Sequence, residues 1–207
     1  EFSVTFQFKE LVGLAKQRFV QAAALQDLAD RATLVGTEAL GLPADSPLFR
    51  LGKSDVPLRV LVIEDRGAHG LYGHPRESSS HFRMALYDLA VTGKNGDAGG
   101  GGSYGFGKGA FIRNSRAHTV IAYSCFEPTE SDRVTRRAMG FSWQNSHKAH
   151  TNGKDTAFQG RAMFGSPYQA SSGPSIEIYP FEDDAADHFA EALGIPLRSA
   201  ANLNELG

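Results

Sequence analysis

The sequence predicts an α/β domain in which strands outnumber helices in the second half. Three observations predict it. A helical apolar period runs through the alanine- and leucine-rich residues 9–40. Short runs of β-branched and aromatic residues, FSVTFQF, LRVLVIE, HTVIAYSCF and SIEIY, recur between turn-rich stretches. A second helical period, with start and stop signals at its ends, lies at 183–193. At 207 residues the chain is long enough for one sizeable core, and 1–207 reads as a single domain.

Residues 2–8 alternate apolar and polar types and read as a half-buried strand. In 9–40, Leu11, Leu14, Ala15, Phe19, Ala22, Ala23 and Leu25 fall at helical spacing, so one or two amphipathic helices are expected. Residues 41–57 are rich in Pro, Gly, Asp and Ser and read as loop. Residues 58–64 are almost continuously apolar, the mark of a buried central strand. That run ends at Asp65, with Gly67 and Gly70 following, and strand-end loops are where function concentrates. Residues 71–99 are polar and irregular, with a helix expected at 79–89. A connection of that length between two glycine-bearing motifs suggests a mobile lid.

A helix is expected at 108–114, a strand at 118–126, and its hairpin partner at 135–143 across a turn at 127–133. Residues 148–158 read as loop, and 161–164 and 175–179 as strands. In 183–193 acidic residues occupy the first turn, and Ala186, Phe189, Ala190 and Leu193 share a face. Gly194 and Pro196 follow as stop signals.

The net charge of −2 gives no general pull toward nucleic acid or anionic lipid. The single cysteine, Cys125, excludes an intrachain disulfide framework and a thiolate-rich zinc site; within VIAYSCF it reads as an inert core residue. No apolar run approaches the length of a membrane helix, and the first residues carry no signal-peptide pattern. A soluble, cytoplasmic protein with no membrane partner is expected. His147-x-x-His150 has no carboxylate or cysteine at a supporting spacing, so no metal site is assigned to it. Arg133, Arg136 and Arg137 cluster near the expected hairpin and read as a solvated face. Trp143 reads as a sheet residue packing on a helix.

The densest functional signal is the stretch Gly99 to Phe111, GGGGSYGFGKGAF, in which seven of thirteen residues are glycine. A glycine run that opens a helix offers unpaired N–H groups to an anion at the positive end of the helix dipole, so a nucleotide phosphate is the first expectation. Residues 102–109 approach the P-loop pattern, but Gly109 stands where a Ser or Thr would bind magnesium, and no buried strand leads in. Gly105-x-Gly107 lacks the third glycine of a dinucleotide fingerprint.

Taken together, IEDRGAHGL and GGSYGFGKGAF resemble the paired glycine boxes of the GHKL superfamily of gyrase, chaperone, histidine-kinase and mismatch-repair ATPases, the Bergerat fold. They are most similar to uncharacterised bacterial ATP-binding proteins of that type. Asp65 and Gly67 match the first two positions of the D-x-G-x-G box, and Gly70 falls one residue late. Gly102, Gly105, Gly107 and Lys108 match the second box, with Ser103, Tyr104 and Phe106 between them. The resemblance spans residues 58–126.

The resemblance implies a two-layer α+β sandwich with a mixed, mostly antiparallel sheet and helices on one face. It implies ATP with Mg2+ as ligand and residues 71–102 as an ATP lid. Lid closure would be coupled to homodimer formation or to further domains of the same protein. Asp65 would accept the adenine 6-amino proton, with Gly67 and Gly70 turning the backbone beneath the base. Gly105 and Gly107 would offer N–H groups to the phosphates, and Lys108 a point charge near the terminal one. The superfamily also carries an upstream E-x-x-x-N helix that activates water and holds magnesium. The nearest fit, Glu10 with Leu14, puts leucine where an oxygen ligand is needed. No catalytic residue is therefore assigned in these residues, and hydrolysis would use a glutamate outside them. The alternative is a nucleotide-sensing or interaction module that binds without turnover.

Overall fold

The computed structural model describes residues 2–87, 106–130, 132–151, 153–169 and 176–207. It is mixed α and β, and every strand pair in it is antiparallel.

Strands β1 (Ser3–Leu11) and β2 (Leu58–Arg66) pair along their whole length, from Ser3 opposite Arg66 to Leu11 opposite Leu58. The first strand thus runs beyond residue 8 and takes Lys9, Glu10 and Leu11 from the expected helix; nine paired positions outweigh local helix propensity. The run at 58–64 is not a buried central strand. It is one half of a two-stranded ribbon, with Leu58 buried, Val60 and Val62 half-buried, and Leu61 and Ile63 exposed. Its continuous apolar sequence has a different neighbour on each face, and only the inner face meets the core.

Helices α1 (Gly13–Ala22), α2 (Leu25–Val35) and the short α3 (Thr37–Leu40) follow β1, with the break between the first two at Ala24. The loop expected at 41–57 contains a single 3-10 turn, Pro47–Arg50. Lys16 of α1 organises it from below. Its buried Nζ donates to the carbonyls of Arg50, Lys53 and Val56 at 3.2, 2.7 and 2.8 Å. Lys16→Met keeps the stem and removes all three donors. It is expected to cost about 2–3 kcal/mol, because the carbonyls lose a charged partner in a region water reaches poorly. The midpoint of urea unfolding measures this.

The central sheet is built on β4 (Arg136–Trp143). One edge pairs with β3 (Thr119–Cys125), from Thr119 opposite Ser142 to Cys125 opposite Arg136. The other edge pairs with β10 (Phe181–Glu182) at its start and β7 (Arg161–Phe164) at its end. Alternation sends neighbouring residues to opposite faces. Ala138, Ile121 and Tyr123 face the main core with Leu28 and Ala32 of α2, Ala186 and Phe189 of α6 (Asp184–Ala192), and Leu193 just after it. Met139 and Phe141 face a smaller core with Phe82 and Leu86 of α4 (His81–Leu86). Helices therefore lie on both faces of this sheet, rather than on one. Trp143 packs into the smaller core, stacked on Phe141 at 5.2 Å.

Residues 148–158, expected as loop, form a hairpin of β5 (His147–Thr151) and β6 (Lys154–Phe158). The sequence Asn152-Gly153 is the favoured two-residue hairpin turn, and Gly153 takes φ +74°. His147 and His150 thus belong to a strand. A further pair joins β8 (Ser166–Gln169), which the sequence does not signal, to β9 (Ile176–Tyr179), the strand expected at 175–179.

The arginine cluster is not a solvated face. Arg137 is fully buried: Nη2 donates to Asp132 Oδ1 at 2.9 Å and lies 2.8 Å from Oδ2, Nε donates to Glu182 at 2.9 Å, and Nη1 donates to the Gly73 carbonyl at 2.8 Å. Arg136 is held by both oxygens of Asp187 at 2.9 Å. Only Arg133 is exposed. Asp183, before α6, accepts from Thr135 N, Thr135 Oγ1 and Arg136 N. Burial alone would raise its carboxyl pKa, but these hydrogen bonds and the Arg136 charge together hold it below the usual range.

Candidate functional site

β2 carries Asp65 to the end of the ribbon. Asp65 pairs with Val4, so it shares a ribbon face with Phe6, Ile63, Phe8 and Leu61. Its neighbour Glu64 is on the other face and is committed to structure, with Arg66 at 2.9 Å and Arg198 at 3.2 Å. Among the described residues the Asp65 carboxylate has no hydrogen bond or ion pair. The result is an uncommitted acceptor at the end of an apolar surface.

The chain then turns through Gly67 at φ +73° and Gly70 at φ +68°. A Cβ on Gly70 would fall 2.4 Å from the Cys125 carbonyl oxygen and 3.0 Å from Ser124 Oγ, so only glycine fits there. The loop is pinned to the end of β3 by Leu71 N donating to Ser124 Oγ at 2.8 Å. Ser124 Oγ donates in turn to the Gly207 carbonyl at 3.0 Å, and Gly207 and Cys125 exchange backbone hydrogen bonds at 2.9 and 3.0 Å. Cys125 is buried, as expected, and burial pushes its thiol pKa up, which disfavours the reactive thiolate.

Of the second glycine box, Gly102, Ser103, Tyr104 and Gly105 lie outside the described residues, as do residues 88–101 of the expected lid. Phe106, Gly107 and Lys108 begin α5 (Phe106–Asn114), the helix expected at 108–114. α5 passes into β3 through a tight connection in which His118 N donates to the Ser115 carbonyl at 2.8 Å and Thr119 N to Ser115 Oγ at 3.1 Å. The described start of the lid is anchored. Ser80 caps α4 by accepting from Arg83 N at 3.0 Å, and it donates to the Gly73 carbonyl at 3.2 Å. Asp65, Gly67 and Gly70 thus form one local unit on β2 and β3, and the second box enters the described fold only as the backbone that opens α5.

No known protein family, curated protein or solved structure matches this chain.

Among the described residues no three His, Cys, Asp or Glu side chains stand close enough to hold a metal ion together. Among the same residues no helix is long and apolar enough to cross a membrane.

Two cavities lie away from Asp65. One of about 500 Å3 sits between α2 and β5–β7, lined by Leu28, Arg31, His147, Phe158 and Arg161. The other, about 460 Å3, gathers Arg76, Arg83, Tyr87, Arg161 and Tyr179 beside the start of the expected lid. Tyr87 donates to the Ile178 carbonyl at 3.2 Å, and burial, reinforced by Tyr179, pushes its pKa up to about 12. This basic and aromatic cluster has no signature in the sequence: only the pairing of β7 with β4 brings Arg161 to the residues before and within α4.

Proposed function

We propose that this chain is the ATP-binding domain of a GHKL-type ATPase, with a Bergerat-type arrangement of its site. The observation that carries the reading is the uncommitted Asp65 carboxylate at the end of β2, leading directly into the positive-φ glycines 67 and 70. A carboxylate accepts the 6-amino proton of adenine and is poorly matched to guanine, whose corresponding position is a carbonyl. Val4, Phe6 and Ile63 on the same face supply an apolar wall for a flat base. The loop after Asp65, held against Cys125, lets backbone approach the base closely. On this reading the tight connection at 115–118 returns α5 along β3 and aims its N-terminal N–H groups at the phosphates, with Lys108 near the terminal one. ATP would bring Mg2+ coordinated to its phosphates, and no general-base glutamate is assigned among these residues. The lid, residues 71–102, would close over the nucleotide and exclude water.

Calorimetric titration with ATP and with GTP, in magnesium, tests the reading. ATP is expected to bind in preference to GTP. Asp65→Asn is expected to weaken ATP by about 10- to 100-fold, the equivalent of a lost charge-assisted hydrogen bond of about 1.5–3 kcal/mol. Equal binding of the two nucleotides, or an unchanged Asp65→Asn variant, would overturn it. If Lys108→Ala abolishes binding while Asp65→Asn does not, a P-loop phosphotransferase is the better account.

A second reading, binding without turnover, rests on Glu10. It lies in β1, not on a helix, and it is paired with Arg59 at 2.9 Å. That reading requires ATP binding with no phosphate release.

A further inference from the structure

The outer face of the β1–β2 ribbon is apolar over most of its length, with Asp65 beside Val4 toward one end. Phe2, Phe6 and Phe8 are 63%, 64% and 88% exposed, and Val4, Leu61 and Ile63 are exposed beside them. The strand register sets Phe6 beside Ile63 and Phe8 beside Leu61 in successive rows, closed at one end by the Glu10–Arg59 ion pair. At about 200 Å2 for a whole aromatic side chain, these six residues leave roughly 600 Å2 open. That is at the upper end of what a monomer's surface carries in one patch, about 300–600 Å2. A two-stranded ribbon with one bare apolar face is also marginal without a layer against it.

We propose that this face is the interface of a two-fold homodimer, ribbon against ribbon. The area fits: two copies would bury about 1,200 Å2, the lower bound of stable protein interfaces. The residue order fits as well. A two-fold axis parallel to the strands lays β1 of one copy on β2 of the other. Phe8 then meets the partner's Leu61, Phe6 the partner's Ile63, and Glu10 the partner's Arg59, so the four charges close one end as a ring. An axis across the strands would instead set Glu10 on the partner's Phe2; Asp65 meets an apolar residue in either case, the partner's Val4 in the first and the partner's Leu61 in the second. The Glu10–Arg59 pair therefore selects one of the two closed arrangements. This interface covers the face that carries Asp65, Val4, Phe6 and Ile63, so it and a nucleotide compete for that face, and it is measured without nucleotide.

Sedimentation equilibrium of the 207-residue chain over the micromolar range is the test. The expected mass is twice 22.3 kDa, falling to one chain on dilution. Phe6→Glu with Phe8→Glu is expected to give monomer with an unchanged far-UV circular dichroism spectrum. Thr5→Glu with Gln7→Glu, on the other face, is expected to leave the dimer intact. A wild-type chain that is monomeric throughout overturns the proposal. So does a dimer that survives the phenylalanine substitutions, or one lost equally in the Thr5 and Gln7 variant. If the double glutamate variant does not fold, Phe8→Ser decides. Phe8 is so exposed that its loss costs the monomer little, yet the dimer should weaken about tenfold or more; an unchanged dimer in Phe8→Ser overturns the proposal too.

Discussion

Arg137→Met is expected to destabilise the protein by about 3–5 kcal/mol, the range found when one partner of a buried ion pair is removed. Methionine retains most of the volume, so the loss isolates the charge and its hydrogen bonds. Arg137 joins four separate parts of the chain: the turn residue Asp132, strand β10 through Glu182, the start of the expected lid through the Gly73 carbonyl, and its own strand β4. The two carboxylates do not suffer equally. Glu182 is partly exposed and can be rehydrated, but Asp132 is almost fully buried and would be left charged among Phe82 and Phe126, the rings that flank the guanidinium. The penalty should therefore fall mainly on Asp132. A double variant, Arg137→Met with Asp132→Asn, is expected to recover a substantial part of the loss. Urea midpoints of the three proteins measure both effects. A single variant that unfolds at the wild-type midpoint would show that the ion pair contributes no net stability.

What the sequence makes legible follows from how local each signal is. Helix α6 and the β3–β4 pair are legible because acidic first-turn residues and a stop glycine, and two β-type runs following each other in sequence, lie in or beside the elements they define. The β5–β6 hairpin is obscured by its own chemistry: HKAHT and KDTAF are polar, exposed strands, and only Asn152-Gly153 carries the signal. The apolar run of β2 looks like a buried strand because burial depends on neighbours, and no sequence pattern tells how many strands flank it. Arg136 and Arg137 mislead for a related reason. Asp187 and Glu182 are more than forty residues away, and Asp132, five residues before Arg137, looks like an ordinary turn residue, so adjacent positive charges look solvated until the sheet closes. At the candidate site, Asp65, Gly67 and Gly70 are legible because a strand end and a glycine turn are adjacent in sequence. What the sequence does not carry is that Glu64 is consumed by Arg66 and Arg198 while Asp65 is not.

Gly70→Ala is expected to be nearly as costly as the loss of Arg137, and its cost can be divided. The positive φ alone disfavours a side chain by about 1–2 kcal/mol. Gly153 provides the reference, because it has φ +74° and nothing within 4 Å of where a Cβ would sit, whereas Gly70 has φ +68° and the Cys125 carbonyl oxygen at 2.4 Å. Gly153→Ala should show the conformational cost by itself, and Gly70→Ala that cost plus about 1–3 kcal/mol for forcing the loop off β3. Unfolding midpoints give the difference; equal losses would mean that the loop can move off Cys125 at no cost. The same displacement has a functional reading that stability alone does not supply. The loop's register on β3 is set by Leu71 N on Ser124 Oγ, five residues after the end of β2. Pushing the backbone away at Gly70 moves the segment directly after Asp65 while leaving its carboxylate in place. If the carboxylate and the glycine turn form one nucleotide site, ATP affinity should fall in Gly70→Ala under conditions where the variant is fully folded. It should be untouched in Gly153→Ala, whose turn lies in a separate hairpin.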